Sequence, residues 1–220
     1  MKLYSGPLSM FGAKVEIALR EKDLDFQLEM VPFDTQHRYE PKHPEVLRIN
    51  PKGQVPVFVD GPIVLYDSTQ IFEYLEDRYP HPPLWPRTVP GRARARQREH
   101  ASDEIFFPHV IRLMILRGHP DPIDSAEWKL ARSGIERYYS NLEDLLATSN
   151  YLSGDSYTYA DIAFYMAQFF AMRHTVPMSD ACPRLRAWRA KVGSRPAVKP
   201  VIGAMVDYLR ATNLPVPDMG

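Results

Sequence analysis

Over the first eighty residues, apolar positions switch between a period of two and a period near 3.6. Lys2 to Ser5 reads as a strand that runs into the loop Gly6-Pro7-Leu8. Phe11, Val15, Ala18 and Leu19 then recur at helical spacing, which predicts a helix from about Ser9 to Lys22. From Asp25 to Val31, Phe26, Leu28 and Met30 alternate with polar neighbours, the pattern of a half-buried strand. Strand, helix and strand in that order imply a parallel pair with a right-handed crossover. Pro41 to Ile49 holds a short, irregular helix. Pro56 cannot donate to a ladder and so marks the start of a strand from Val57 to Val59. A turn at Asp60-Gly61, a strand from Ile63 to Leu65 and a helix opening at Asp67-Ser68 follow. That helix carries Ile71, Phe72, Leu75 and Tyr79 on its buried face.

The remainder reads as helical. A long helix is expected from Gly91 to Arg117, kinked at Pro108, and a second from Ser125 to Thr148. Thr158 and Asp161 have the spacing of a capping box at the start of a third, which reads as a folding signal. Val198, Val201, Ile202, Met205, Val206 and Leu209 form the apolar stripe of a last helix. Proline placement divides the chain. Of 21 prolines, five fall between Pro80 and Pro90, the composition of a stiff linker, and none lies between Pro122 and Pro177. The expected organisation is an α/β domain at 1–81, a Pro-rich linker at 82–90 and an all-α domain at 91–220. The order βαβαββα in the first matches a thioredoxin-like domain.

Charge narrows the function classes. Basic and acidic residues balance at 27 each, so a nucleic-acid or acidic-membrane partner is not expected. Arg92, Arg94, Arg96 and Arg98 are spread around a helix by their two-residue spacing, which suits a solvated face or a dimer contact. No apolar run approaches the roughly 18 residues of a membrane span, and the KLY start has no basic n-region or apolar h-region, so a soluble, cytoplasmic protein is expected. Cys182 is the only cysteine, and the seven histidines lack metal-ligand spacing, so neither a redox pair nor a metal is expected.

The candidate chemistry sits in NPKGQVPVFVDGPIVLYDSTQIFEYLEDRYP, from Asn50 to Pro80. Val55-Pro56 is a candidate cis bond, with the Val55 amide and carbonyl then off the ladder and free. A dozen residues on, Asp67 and Ser68 stand where a helix start offers unpaired N–H groups and a positive dipole end. The pair suits an extended peptide bearing a carboxylate. With KLYSGPLSMFGAKVEIALREKDLDF before it and YLSGDSYTYADIA and PRLRAWRAKVGSRP after it, the chain resembles the glutathione transferase superfamily over nearly its whole length, its serine-type members in particular.

That resemblance implies a transferase with glutathione as co-substrate, a homodimer, and a thiolate that attacks a small hydrophobic electrophile. Ser9, after the first strand and before the first helix, is the expected catalytic residue: a hydroxyl donating to sulfur beside a helix's positive end favours the thiolate. Ser9 can equally be a plain helix cap. Ser5, at the strand end, is an alternative hydroxyl, and Tyr4 reads as core. Val55 is expected to present its main chain to the cysteinyl part of glutathione, with Pro56 and Gln54 beside it. Ser68 is assigned the γ-glutamyl carboxylate and Asp67 the γ-glutamyl ammonium, where relatives more often carry Glu or Gln. Asp67 can also cap its helix, with Gln70 as box partner. Lys42 is assigned the glycyl carboxylate, with His43 as the weaker neighbour, and Asp103 or Glu104 is a candidate contact from a partner subunit. For the electrophile only a region is expected: Leu8, Met10 and Phe11 near the first loop, and Phe107, Ile111 and Met114 on the long helix.

Overall fold

The computed structural model describes residues 1–34, 36–40, 42–117, 123 and 125–218. By their contacts they form two compact units, one of 1–84 with 196–214 and one of 85–195 with the C-terminal tail.

The first unit is built on a four-stranded mixed sheet, β1 (Lys2–Ser5), β2 (Gln27–Met30), β3 (Val57–Asp60) and β4 (Ile63–Tyr66), in the order β2-β1-β3-β4. β1 and β2 pair in parallel, as the strand-helix-strand order predicts, and β3 runs antiparallel to both β1 and β4. The helices are α1 (Met10–Glu21), α2 (Pro44–Ile49) and α3 (Ser68–Arg78). Pro41, the expected start of α2, lies outside the described residues.

Alternation along the strands sends side chains to two cores. Leu3 and Phe58 join Val15 and Leu19 of α1 and Ile71 and Leu75 of α3 in a fully buried cluster. Their neighbours Tyr4 and Val57 point the other way and meet Val31 and Val46 of α2. Each such side chain contributes about 1.5–3 kcal/mol of burial, and a one-residue slip of β1 would exchange the two faces. Lys22, at the end of α1, is buried, and its ammonium stands 2.7 Å from Glu76 and donates to the carbonyls of Tyr79 and Pro82. This clasp ties α1 to the end of α3 and the chain leaving it.

The last helix of the chain, α9 (Val198–Ala211), buries all six residues of its expected stripe. By contacts it groups with the first unit, where it packs on α1, and not with the helices that precede it in sequence. The Tyr208 hydroxyl donates to the Phe33 carbonyl at 2.7 Å, which pins α9 to the segment after β2.

The second unit holds α4 (Val89–Ala101), α5 (Phe107–Leu116), α6 (Ala126–Leu145), α7 (Tyr159–Arg173) and α8 (Pro183–Gly193). The expected long helix is interrupted where Pro108 requires it. A proline lacks the N–H and crowds the carbonyl four residues back, and a π-helical turn at Ser102–Phe106 separates α4 from α5 just ahead of it. α7 is buried along nearly its whole length. Its capping box is present as expected: the Asp161 carboxylate accepts the Thr158 N–H and also the Leu152 N–H and the Trp188 indole N–H.

Candidate functional site

The β1–α1 turn is shaped by two serines and a glycine. Ser9 has extended backbone angles and caps α1, its Oγ accepting the Gly12 N–H at 3.0 Å, and it is 7% exposed. A hydroxyl carries one donor and two lone pairs, so capping uses an acceptor and leaves the O–H. The capping and catalytic readings of Ser9 are therefore compatible in one geometry. Ser5 is buried at the end of β1, and a side chain at Gly12 would stand 2.1 Å from its Oγ and 3.1 Å from that of Ser9. Only glycine fits between the two hydroxyls. Tyr4 belongs to the core, its ring 5.3 Å from that of His43.

Val55-Pro56 is cis. Among the described residues the Val55 N–H and C=O have no main-chain partner. The loop ahead of them is organised by Asn50, a residue that sequence reasoning missed. Asn50 is buried, its Oδ1 accepts the Lys52 N–H at 2.9 Å, and its amide donates to the Gln54 carbonyl at 2.6 Å. Asn before Pro-Lys-Gly is a turn signal, and its side chain replaces the main-chain partners that the loop lacks. The Gln54 side chain is exposed, while Pro56 is buried.

Asp67 caps α3, its Oδ1 accepting from Thr69 N–H at 3.1 Å and Gln70 N–H at 3.3 Å. Among the described residues no bond from the Gln70 side chain back to the Asp67 N–H is found, and the carboxylate serves both amides. Asp67 is exposed, with φ +74° and ψ 125°, backbone angles a non-glycine residue rarely takes. Such strain persists where the surroundings fix it, and it clusters at binding sites. Ser68 follows as the first residue of α3 and is buried.

Lys42 pairs with Glu40 at 3.2 Å and is 29% exposed. Its methylenes pass 3.8 Å from where a Gly53 side chain would begin, so the lysine lies along the loop that carries Gln54 and Val55. His43 caps α2, Nδ1 accepting the Glu45 N–H at 3.3 Å. Tyr39 is a second residue that sequence reasoning missed. Its hydroxyl overlies Gly6, where a side chain would stand 2.4 Å away, and burial pushes its pKa up.

Ser5, Ser9, Lys42, Gln54, Val55, Pro56, Asp67 and Ser68 thus all belong to one unit, on the loops and helix starts that flank the ends of β1 and β3. The residues assigned to an electrophile divide: Leu8, Met10 and Phe11 lie in the first unit, Phe107, Ile111 and Met114 in the second. Met10 and Phe107 are core residues, the latter with its ring 6.2 Å from that of Phe170, whereas Ile111 is 42% exposed. Asp103 and Glu104 both fall in the π-helical turn. Among the described residues no group of His, Cys, Asp or Glu could hold a metal ion, and no helix is long and apolar enough to cross a membrane.

Residues 3–83 match the family model described as the N-terminal domain of glutathione S-transferase, and residues 106–196 match that of its C-terminal domain. Glutathione S-transferase PARB of Nicotiana tabacum is 31% identical over 207 residues, 90% of this chain and 94% of that one. A protein of Coxiella burnetii named stringent starvation protein A homolog is 32% identical over 161 residues, 73% of this chain and 71% of that one. Among solved structures, a glutathione S-transferase from Rhodospirillum rubrum F11 superposes with a TM-score of 0.77 at 28% identity, covering 91% of each chain.

Proposed function

The chain belongs to the glutathione S-transferase family, and we propose that it binds glutathione in its first unit and activates the thiol for attack on a small hydrophobic electrophile. The observation that carries this reading is Ser9. Its Oγ accepts the Gly12 N–H and keeps its own O–H to donate, beside the positive end of α1. A free thiol of pKa about 8.5 is mostly protonated at neutral pH, and a hydrogen bond to sulfur favours the anion. The thiol proton leaves to solvent, the thiolate forms the new S–C bond, and a leaving group, where there is one, departs with its bonding pair.

The other residues hold the peptide. The Val55 main chain, unpaired among the described residues, suits an added extended strand at the cysteinyl residue, flanked by Gln54 and Pro56. Ser68, at the first position of α3, receives the γ-glutamyl carboxylate through its hydroxyl and its own N–H, at the positive end of the helix. Asp67 receives the γ-glutamyl ammonium: both capping bonds fall on Oδ1, and a carboxylate has lone pairs beyond those two. Lys42 meets the glycyl carboxylate. Ser9 is preferred to Ser5 because it sits at the helix start itself. The enzyme acts as a cytoplasmic homodimer in detoxification, without metal, and apolar residues near the β1–α1 turn meet the electrophile.

A second reading is favoured by the relative from Coxiella burnetii, which is not named as a transferase. In it the chain keeps the fold and acts through its surface on another protein. Calorimetric titration with glutathione separates the two. The transferase reading expects binding by the parent protein, and a bound thiol whose pKa rises in Ser9→Gly. Glycine is the better control than alanine, because as a helix cap it costs only a few tenths of a kcal/mol. Absence of binding at millimolar glutathione would overturn the transferase reading and promote the other.

A further inference from the structure

In the second unit α5 packs against α7, and the two helix ends bring three basic side chains together. Arg117 caps α5, Arg173 is the last residue of α7, and His174 caps it. The end of α7 is firmly built. Thr175 N–H donates to the Met172 carbonyl and Val176 N–H to that of Ala171, the paired bonds of a Schellman turn. The Tyr139 hydroxyl donates to the Val176 carbonyl at 3.0 Å and fixes the chain beyond it. Thr175 takes the left-handed position of the turn at φ +69°, where glycine is usual and a β-branched residue is strained.

The three side chains grade from surface to core. Arg117 is exposed, Arg173 is half-buried, and His174 is only 7% exposed. Arg173 Nε and His174 Nε2 are both buried, and neither has a hydrogen-bond partner among the described residues. No described carboxylate pairs with either guanidinium. Burial, and after it the charges of Arg173 and Arg117, push the His174 pKa down to about 3, so the ring is neutral. Burial and then Arg117 lower the pKa of Arg173. A basic residue in the last turn offsets a helix's negative end. That role explains the charge of Arg173. It leaves unexplained two buried donors without acceptors, each costing about 1–3 kcal/mol and more where the group is charged.

We infer that Arg117, Arg173 and His174 form a binding site for a phosphate group, carried by the free ion or by a small phosphate monoester. Two guanidiniums without a counter-charge match a doubly charged oxyanion, and their forked donors suit its oxygens. A monocarboxylate would balance only one of them, and a cation would be repelled. The neutral His174 ring adds a third donor in its Nε2–H tautomer. All three residues belong to the second unit, so the site does not rest on the glutathione reading.

The test titrates inorganic phosphate and phenyl phosphate into the full-length protein by calorimetry. Ionic strength is held constant, at about pH 7.5, where a phosphate monoester is doubly charged. Arg117→Gln changes an exposed residue and leaves the core intact, and it should weaken phosphate binding about tenfold, one charge-assisted hydrogen bond's worth. His174→Phe keeps a ring in the buried position and should weaken binding about fivefold, the worth of a neutral hydrogen bond. Arg137→Gln removes the same charge from an exposed position on α6 and should leave binding unchanged, which separates a site from net charge. Tighter binding of phenyl phosphate would assign the site to a monoester, and tighter binding of inorganic phosphate to the free ion; both support it. No binding of either probe at millimolar concentration would overturn the proposal. So would undiminished binding by Arg117→Gln or His174→Phe, or an equal loss in Arg137→Gln.

Discussion

Asp161 and Asp67 each stand at the start of a helix, and their carboxylates are used in opposite ways. Asp161, fully buried at the start of α7, spends both oxygens on the protein: Oδ1 accepts from Leu152 N–H at 3.0 Å and Trp188 Nε1–H at 2.8 Å, Oδ2 from the Thr158 N–H and hydroxyl at 2.9 and 3.0 Å. Asp67, exposed at the start of α3, takes two amides on one oxygen and sits at φ +74°. A carboxylate whose lone pairs all meet protein donors is a lock on the fold. One held on the surface in a strained conformation keeps acceptor capacity that the proposed glutathione contact would use. The same capping rule gives both, and burial decides between them.

The largest effect expected is on the locked side. Asp161→Ala leaves buried donors from Leu152, Thr158 and Trp188 unpaired at about 1–3 kcal/mol each, and Tm should fall by roughly ten degrees. Scanning calorimetry measures it, and a fall of less than about three degrees would mean that the network is not a lock. On the open side, Asp67→Gly accepts the positive φ and keeps most of the capping propensity, so Tm should stay within about two degrees. Glutathione affinity should nevertheless fall about tenfold, the equivalent of roughly 1.4 kcal/mol. If Tm fell as in Asp161→Ala while glutathione still bound normally, the contrast between the two aspartates would be gone. The smallest effect belongs to Lys42, partly exposed and already paired with Glu40. Lys42→Ala should weaken glutathione binding by no more than about fivefold, as befits an exposed ion pair, with the pKa of the bound thiol unchanged. A shift in that pKa would place the lysine near the sulfur and break its assignment to the glycyl end.

What the sequence made legible were features set by neighbours in the chain. Ser9 as the cap of α1, Pro56 ahead of β3, Asp67 ahead of α3 and the Thr158/Asp161 box all depend on offsets of a few residues, and each is found where those offsets put it. The rest depends on contacts between distant segments. Nothing in the local pattern marks Tyr39 as the residue whose hydroxyl overlies Gly6, or α9 as a helix that packs on α1 across some 180 intervening residues. The positive φ of Asp67 was also hidden, since aspartate caps helices in ordinary extended geometry far more often. Asn50 was partly visible: its place before Pro-Lys-Gly announces a turn, but not that its amide would hold the Gln54 carbonyl.

Ser9 lies between the two aspartates in kind. Like Asp161 it is buried and serves its helix, and like Asp67 it keeps a hydrogen-bonding capacity that the fold does not consume. The measurement that tests this most directly is the pKa of the glutathione thiol on the protein, followed by thiolate absorbance against pH, in the parent protein and in Ser9→Gly. A hydrogen bond to a charged group contributes about 1.5–3 kcal/mol, so the bound thiol should titrate below its free value of about 8.5 and rise by about one to two units in the variant. An unchanged thiol pKa, with glutathione still bound to Ser9→Gly, would contradict the assignment and leave Ser9 as a helix cap alone.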